Sequence, residues 1–569
     1  MKKWETVNKF RIQNSEFRID ELIKILLENR GIKTKKEREE FLDPKLETVT
    51  PDSVGIDKKH LQQALKRIQK AIDQKEQIAV FGDYDVDGIC GAAILWETLY
   101  GLGAMVVPYI PHRIDEGYGL SIQGIENLKS QVSNLKLIIT VDNGIVANEA
   151  VVHANKNGID VIITDHHVPS KKLPKAHSIV HTTKLCGTGV AYLLAQEVKS
   201  QNSKVKTTTQ NSKVKIPDDH LALVALATVA DLVPLTGDNR ILLTHGLEAL
   251  RKTKRPGIVA ICLEAGIDQK VIDTYEIGHG IAPRLNAAGR IEHAMDALRL
   301  ICTKDANRAQ TLARLLGSTN RERQVLTIET VMHASTEVRN QKTEIKKLLF
   351  IVNETYKQGV IGLVAGRLVE EFYRPAIVVS KGKDLSKASA RSVHGFNIIE
   401  FIRSASEYLI DVGGHPMAAG FTVETAKLPI LQETLEKLAH TTLSKDLLTR
   451  TLRVDCGLSL QFVNQKLYDA IQNLSPFGMG NAEPTFVSRG LLIEDMRLVG
   501  KDRKHVKFKF HPPTGGSRFQ IDGIGFGLGE RMGEFHVGDK VDIVYVIDEN
   551  EWDGKKNLQL KIKDIKQSV

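Results

Sequence analysis

The stretch Ile78-Ala79-Val80-Phe81-Gly82-Asp83-Tyr84-Asp85-Val86-Asp87-Gly88 sets a short apolar run directly against three carboxylates. So short a run suits a strand covered on both faces better than a buried helix. The pattern recurs: Leu137-Ile138-Ile139-Thr140-Val141 leads into Asp142-Asn143-Gly144, and Val161-Ile162-Ile163-Thr164 into Asp165-His166-His167. Helix-length segments separate the runs, which therefore read as parallel strands of an α/β sheet. Ligand sites in such sheets lie at the carboxyl ends of the strands, so the three polar clusters converge on one crevice. Asp231, just after the apolar stretch Leu221 to Ala230, is a candidate fourth contributor.

A single aspartate after a strand is ordinarily a turn or helix cap. Four clusters with matched placement are harder to explain that way, because carboxylates gathered in a partly desolvated cleft repel one another unless cations sit between them. Oxygen ligands with one or two imidazoles suit Mn²⁺ or Mg²⁺ better than thiolate-loving metals. Two such ions roughly 3.5 to 4 Å apart activate a water and stabilise the leaving oxygen in phosphoester hydrolysis. No serine or cysteine nucleophile is indicated.

Working outward, 569 residues suggest about three or four domains. With 42% hydrophobic and 26% charged residues the composition is that of a soluble globular protein. Lys and Arg number 78 against 69 Asp and Glu, and the resulting +9 favours a polyanionic partner. Cys90, Cys186, Cys262, Cys302 and Cys456 are scattered without a CxxC pair, which reads as reduced thiols rather than a disulfide framework or a zinc site. No apolar run follows the basic start Met1-Lys2-Lys3, and Leu221 to Ala230 is about half the length a membrane span requires. The expectation is a cytoplasmic protein with no membrane partner.

A helical segment is expected from about Asp20 to Leu42, and an amphipathic helix around Leu61 to Ile72. Gln201-Asn202-Ser203-Lys204-Val205-Lys206 recurs as Gln210-Asn211-Ser212-Lys213-Val214-Lys215, a polar tandem that reads as a solvated loop. From Lys304 to Glu344 the chain has almost no Gly and no Pro and suggests long helical structure. A second α/β unit follows, with strands Leu348 to Val352 and Ala376 to Val379 around a helix near Gly359 to Phe372. Beyond Thr441, Val506 to Phe510 and Asn557 to Ile562 alternate strictly, which fits a small antiparallel barrel or sandwich.

Asp165-His166-His167 together with Asp83-Tyr84-Asp85-Val86-Asp87-Gly88 resembles the DHH phosphoesterase superfamily. The resemblance narrows to the RecJ-type single-strand-specific exonucleases through Arg113-Ile114-Asp115-Glu116-Gly117-Tyr118-Gly119-Leu120, Thr228 to Leu235, Pro283-Arg284-Leu285-Asn286-Ala287-Ala288-Gly289-Arg290, Gly413 to Phe421 and Pro476 to Asn481. These segments span nearly the whole chain in the expected order. Residue by residue, the resemblance implies Asp85, Asp87, Asp142, His166 and Asp231 as ligands of a centre of two Mn²⁺ or Mg²⁺ ions, with Asp142 bridging and Asp83 a further candidate. It implies His167 at the scissile phosphate, with Asp165 orienting a histidine. Arg113, Arg284, Ser389 and Arg391 are implied to hold a 5′-terminal phosphate, and Asn286, Arg290 and His415 complete the implied phosphate- and DNA-binding set.

The implied fold is α/β: a DHH phosphoesterase parallel-sheet domain and a DHH-associated α/β domain joined by a long helix, followed by an OB-type β-barrel. Its expected boundaries are an N-terminal helical segment at 1–60, the catalytic domain at 61–302, the connecting helix at 303–344, the substrate-binding domain at 345–440 and the nucleic-acid-binding barrel at 441–569. The implied activity is 5′→3′ hydrolysis of single-stranded DNA to 5′-mononucleotides in repair and recombination, by a monomer loaded by a helicase and a single-strand-binding protein. One departure stands out. Where the family usually has a Trp-His pair before the Gly-Val-Ile-Gly segment, this chain has Tyr356-Lys357; a tyrosine can still stack, but a lysine cannot serve as a neutral imidazole. The alternatives are a superfamily phosphatase acting on short oligonucleotides or cyclic dinucleotides, against which the large C-terminal region argues, and a silent single-strand-binding scaffold, against which the intact carboxylates argue.

Overall fold

Each of the three apolar runs forms a strand, Gln77–Gly82, Leu135–Val141 and Asp160–Asp165. The computed structural model describes the whole chain except residues 1, 9–10, 13–17, 113–114, 205–215, 292–293, 341–344, 513–519, 553 and 569, and the side chains of 11–12, 203–204, 290–291, 552 and 555. Two further strands, Met105–Tyr109 and Ser178–His181, flank the three, and all five run parallel. In sheet order Met105–Tyr109 comes first, then Gln77–Gly82, Leu135–Val141, Asp160–Asp165 and Ser178–His181. The winding direction therefore reverses between Gln77–Gly82 and Leu135–Val141, which opens a crevice at their carboxyl ends.

Alternate side chains explain why the runs are apolar throughout. Ile78, Val80, Ile139 and Ile162 enter one core, while Ala79, Phe81, Ile138 and Ile163 enter another on the opposite face. The stretch Leu221 to Ala230 lies in the His220–Ala230 helix, buried over nearly its whole length, and Asp231 caps its carboxyl end. The Gly187–Lys204 helix carries the first residues of the polar tandem, whose remainder lies outside the described residues.

Asp305 caps the connecting helix, Ala306–Arg339, by accepting a hydrogen bond from Arg308 N. The second sheet follows in the order Leu409–His415, Ala418–Glu424, Leu385–Arg391, Ala376–Ser380, Leu349–Asn353, with only the last pair parallel. Tyr356 is buried against this unit. Its hydroxyl meets His333 Nδ1 at 2.8 Å and its carbonyl accepts from Ser380 Oγ, so the ring is engaged in packing and is not available to stack on a ligand.

Residues 45–448 make one compact unit; residues 1–44 and 449–569 together make a second. In the second, Phe486–Val499 pairs with both His505–His511 and Lys540–Trp552, and Ile521–Gly525 and Lys555–Gln567 complete the circuit, closing a five-stranded barrel. The N-terminal segment is divided differently from the expected 1–60 unit. Lys3–Thr6 pairs with Thr451–Val454, Arg11–Ile12 pairs with Cys456–Leu458, and Leu22, Leu26 and Leu27 enter the barrel's core. The helical segment expected from about Asp20 to Leu42 comprises two helices, Ile19–Asn29 and Lys35–Leu42. Gly31, at φ +84°, turns the chain between them, and a Thr34/Glu37 capping box starts the second.

Candidate metal and phosphate site

The loop after Gln77–Gly82 is built to deliver carboxylates. Asp85 caps the Val86–Gly101 helix by accepting from the backbone N–H groups of Asp87 and Gly88. Asp87 sits in that helix's first turn, and its two oxygens accept from Gly187 N (2.6 Å) and Thr188 N (2.7 Å) at the start of the Gly187–Lys204 helix. Asn286 Oδ1 accepts from Val86 N at 2.9 Å, tying the loop down from 200 residues away. Gly289 is required there, because a Cβ would lie 2.6 Å from Tyr84 O.

Asp142 follows Leu135–Val141 in a left-handed conformation, φ +63°, that non-glycine residues adopt at some cost. Its neighbour Asn143 holds the turn: Nδ2 donates to Val141 O and Phe81 O, and Oδ1 accepts from Leu120 N. After Asp160–Asp165, Asp165 Oδ1 accepts from the N–H groups of His166 and His167 and, at 2.8 Å, from His167 Nδ1; its Oδ2 accepts from Ile145 N. The His167 tautomer is thereby fixed, with Nε2 directed away from Asp165. Tyr118 and His181 complete the setting. Tyr118 Oη lies 3.1 Å from His167 Nε2, and His181 Nε2 is 2.8 Å from His167 O.

These loops bring ligand atoms together in three overlapping groups: Asp83, Asp85 and Asp142; Asp87, His166 and Asp231; and Asp142, His166 and His167. His166 Nε2 is 3.1 Å from Asp142 Oδ1, 3.6 Å from Asp231 Oδ2 and 3.8 Å from Asp87 Oδ2. Burial and the neighbouring carboxylates raise the pKa of Asp85 and Asp142, and push that of Asp231 up to about 9. Burial lowers that of His166, keeping it neutral as a metal ligand must be. For Asp165 burial works the other way, but the hydrogen bonds from His167 and the backbone outweigh it and hold the carboxyl below its ordinary value. At His167 desolvation is likewise outweighed, by the hydrogen bond and charge of Asp165, and the pKa rises.

Among the described residues, Asp142 Oδ1 and His166 Nε2 are buried with no hydrogen-bond partner. Unsatisfied acceptors amid repelling carboxylates fit divalent cations of the Mn²⁺ or Mg²⁺ type, with Asp142 shared between two of the groups. The residues present thus match the donor set such ions take.

A second cluster lies in the Leu349–Asn353 to Ala418–Glu424 unit. Arg391 donates to Ser389 Oγ (3.3 Å) and to Ala390 O. Gly362, in the first turn of the Ile361–Phe372 helix, admits both: a Cβ there would lie 2.9 Å from Ser389 Oγ and 3.1 Å from Arg391 Nη2. A guanidinium, a hydroxyl and a helix N-terminus gathered in this way suit a phosphate. The His415 ring stacks 6.3 Å from that of His167, linking this unit to the metal cluster. Gly414, at φ +142°, passes so close to Ala418 and Ala419 that no side chain would fit.

The other expected contacts divide. Arg284 Nη1 donates to Gly280 O, and its Nε is buried without a partner among the described residues. Asn286 Oδ1 is occupied by Val86 N, so its side-chain carbonyl supports the loop that carries the carboxylates. Arg113 and the Arg290 side chain lie outside the described residues. Tyr118, His181, Gly187 and Thr188 have site contacts that residue type alone did not reveal. A sequence signal existed for Tyr118, since Gly117 (φ +85°) and Gly119 (φ +64°) flank it and permit the turn that points it inward.

Comparison with known proteins gives three family-model matches: the DHH family N-terminal domain over residues 77–228, the DHHA1 domain over 345–441 and the RecJ OB domain over 454–564. The single-stranded-DNA-specific exonuclease RecJ of Bacillus subtilis is 35% identical across 98% of this chain and 69% of its own length. That of Salmonella typhimurium is 31% identical across 96% of this chain and 95% of its own. The crystal structure of RecJ with Mn²⁺ from Thermus thermophilus superposes with a TM-score of 0.81 at 27% identity, covering 100% of this chain and 80% of that one.

Proposed function

The chain belongs to the RecJ family, and from that premise we propose how its residues divide the work of a metal-dependent exonuclease specific for single-stranded DNA. The observation that carries the reading is the buried pair Asp142 Oδ1 and His166 Nε2, unsatisfied among carboxylates whose protons are held abnormally tightly. Asp83, Asp85, Asp87, Asp142, His166 and Asp231 would hold two Mn²⁺ or Mg²⁺ ions. When bound, such ions supply Lewis-acid activation of water and neutralise charge on the phosphate.

The chain's own groups do the rest. Asp165 holds His167 by Nδ1, so that Nε2 presents a proton donor to the scissile phosphate, and the raised pKa of His167 favours that protonated form. Ser389 and Arg391 receive the terminal phosphate of a strand entering 5′ end first, with Arg113 and Arg284 assisting. His415 and the glycines beside it let the backbone pass close to His167. The Ala306–Arg339 helix joins the two α/β parts, and an opening between them that admits one strand but not a duplex would give strand selection by sterics and release of 5′-mononucleotides in the 5′→3′ direction.

A monomeric, cytoplasmic enzyme of repair and recombination, supplied with unwound strands by a helicase and a single-strand-binding protein, is the setting this reading implies. No helix among the described residues is long and apolar enough to cross a membrane. The test uses single strands labelled at either end, and their duplex, with Mn²⁺ and Mg²⁺ compared. Mononucleotides should appear first from the 5′ label and only from the single strand. Release first from the 3′ label, or equal rates on the duplex, would reject the assignment.

A further inference from the structure

Three helices that serve the metal site meet again at their far ends, around charged groups that the catalytic reading leaves unused. The Val86–Gly101 helix begins at Asp85 and Asp87, the Gly187–Lys204 helix begins at the N–H groups that hold Asp87, and the His220–Ala230 helix ends at Asp231. The first two therefore run away from the site and the third runs towards it, each packed against the other two. At about 1.5 Å per residue, Asp87 to Glu97, Gly187 to Lys199 and Asp231 to His220 all measure about 15–18 Å. Glu97, Lys199 and His220 thus fall at one level, and there they touch. Lys199 Nζ, which can only donate, meets His220 Nδ1 at 3.3 Å, so His220 Nε2 carries the proton directed at Glu97 Oε2, 3.0 Å away.

Arg255, at the start of the Pro256–Ala265 helix, closes the group. Its Nη1 donates to Glu97 Oε1 at 2.7 Å and to Ile301 O, and its Nη2 donates to Glu97 Oε2 at 3.1 Å and to Asp219 Oδ1 at 2.7 Å. Asp219, directly before the His220–Ala230 helix, also accepts from Thr253 Oγ1. Glu97, His220 and Arg255 are all buried. Burial lowers the pKa of His220, which keeps it the neutral donor and acceptor this arrangement needs. Burial opposes ionisation of Glu97, but the hydrogen bonds from His220 and Arg255 outweigh it and lower the carboxyl's pKa.

Replacing buried ions by apolar residues of similar volume is often neutral or stabilising, so such a group is better explained by the register it fixes between elements than by the stability it adds. Register is at stake here because small residues line the contact between the first two helices. A Cβ at Gly91 would lie 3.1 Å from Thr188 Cα and 3.3 Å from Ala191 Cβ. A contact made by such small groups has shallow ridges and grooves and specifies axial position weakly. An axial slide would change the spacing of Asp87 and Asp231, which stand 3.8 and 3.6 Å from His166 Nε2.

We propose that Glu97, His220 and Arg255 are positioning residues of the metal centre: by fixing the axial register of the ligand-bearing helices, they set from about 15 Å away the spacing at which Asp85 and Asp87 meet Asp231. This role rests on the metal-dependent exonuclease reading and extends it to a remote determinant of how tightly the ions are held.

The experiment compares the full chain with three variants. Glu97→Met/His220→Leu/Arg255→Met replaces the ionic group by apolar side chains, Glu97→Asp keeps the charge but shortens its reach, and His220→Gln keeps a donor towards Glu97 and an acceptor towards Lys199. In EDTA the triple variant should melt no lower than the parent. Calorimetry should show it binding Mn²⁺ about tenfold more weakly, as for other groups that orient metal ligands from behind. Glu97→Asp should weaken binding in the same direction, and His220→Gln should retain the parental affinity. With Mn²⁺ saturating, the electron paramagnetic resonance signal of the coupled ion pair should change in the triple variant and stay parental in His220→Gln.

Parental Mn²⁺ affinity and signal in both the triple variant and Glu97→Asp would overturn the clamp. So would a triple variant that melts well below the parent while Glu97→Asp binds Mn²⁺ normally, which would assign the group to stability. Mn²⁺ binding and digestion of a single strand by the unsubstituted protein are measured separately. Failure there rejects the exonuclease reading, whereas success there with undiminished binding in the variants rejects the clamp alone.

Discussion

Asp142 shows what the site demands of individual residues. It occupies a left-handed backbone conformation, lies buried, and has an oxygen with no hydrogen-bond partner among the described residues. Such a residue makes the metal-free protein less stable and is useful only when cations arrive. Asp142→Ala should therefore cut nucleotide release by about 10³-fold, taking several kcal/mol of lost charge stabilisation at about 1.36 kcal/mol per decade. The same change should raise the melting temperature measured in EDTA, because a repelling carboxylate has gone. The pH dependence has a definite sign. Asp85, Asp142 and Asp231 hold protons more tightly folded than unfolded, so the metal-free protein loses stability as pH rises from about 4, the unfolded carboxylate value, through about 9, where Asp231 titrates. Added Mn²⁺ should consequently raise the melting temperature more at pH 8 than at pH 5; an equal shift at both would mean that these carboxylates are not its ligands. Most of this site was legible as aspartate and histidine at the ends of apolar runs. The role of Asn286 was not, because its partner Val86 N is far away in sequence and an amide side chain carries no sign of which backbone group it will meet.

At the scale of elements, the centre depends on how closely the Gly187–Lys204 helix approaches the sheet. Its first N–H groups donate one hydrogen bond to each oxygen of the Asp87 carboxylate, which is favourable both as hydrogen bonding and at the positive end of a helix and leaves lone pairs for a cation. That approach leaves no space for a side chain at residue 187, where a Cβ would stand 2.6 Å from Asp142 Cβ and 2.9 Å from its Cα. Gly187→Ala should destabilise the protein by about 1–3 kcal/mol through overpacking. It should also weaken Mn²⁺ binding measured by calorimetry, since Asp87 and Asp142 would have to separate. A variant that kept full Mn²⁺ affinity would show that the helix can retreat without disturbing the ligands. Strands buried on both faces were readable because their alternate residues all had to be apolar. The flanking strands were harder: Met105–Tyr109 carries Pro108, and Ser178–His181 offers only Ile179 and Val180 between polar ends. Edge strands need less apolar coverage and tolerate proline, so the signal fades where the sheet stops.

For the whole molecule, the sequence order conceals how the chain is partitioned. Residues 1–60 read as a leading helical piece, yet Leu22, Leu26 and Leu27 are at most 1% exposed in a core shared with Phe486, Phe508, Phe510 and Tyr545. The contacts span more than four hundred residues. Asn29 Nδ2 donates to Asp455, Arg30 Nε donates to Asn481 Oδ1, and Lys3–Thr6 pairs in parallel with Thr451–Val454. No local periodicity can announce a partner at that separation, since an amphipathic helix looks the same whichever surface covers it. Three fully buried leucines contribute about 5–9 kcal/mol at roughly 1.5–3 each, comparable to the entire stability of an ordinary domain. Deleting residues 1–44 should therefore unfold the barrel unit while sparing the 45–448 unit, whose cores contain none of these residues. In a thermal scan the shortened chain should lose one cooperative transition and keep another that still rises with added Mn²⁺, because ligand binding stabilises only the unit that holds the metal. If both transitions survive, the N-terminal leucines are dispensable to the barrel; if neither does, the two units do not fold independently.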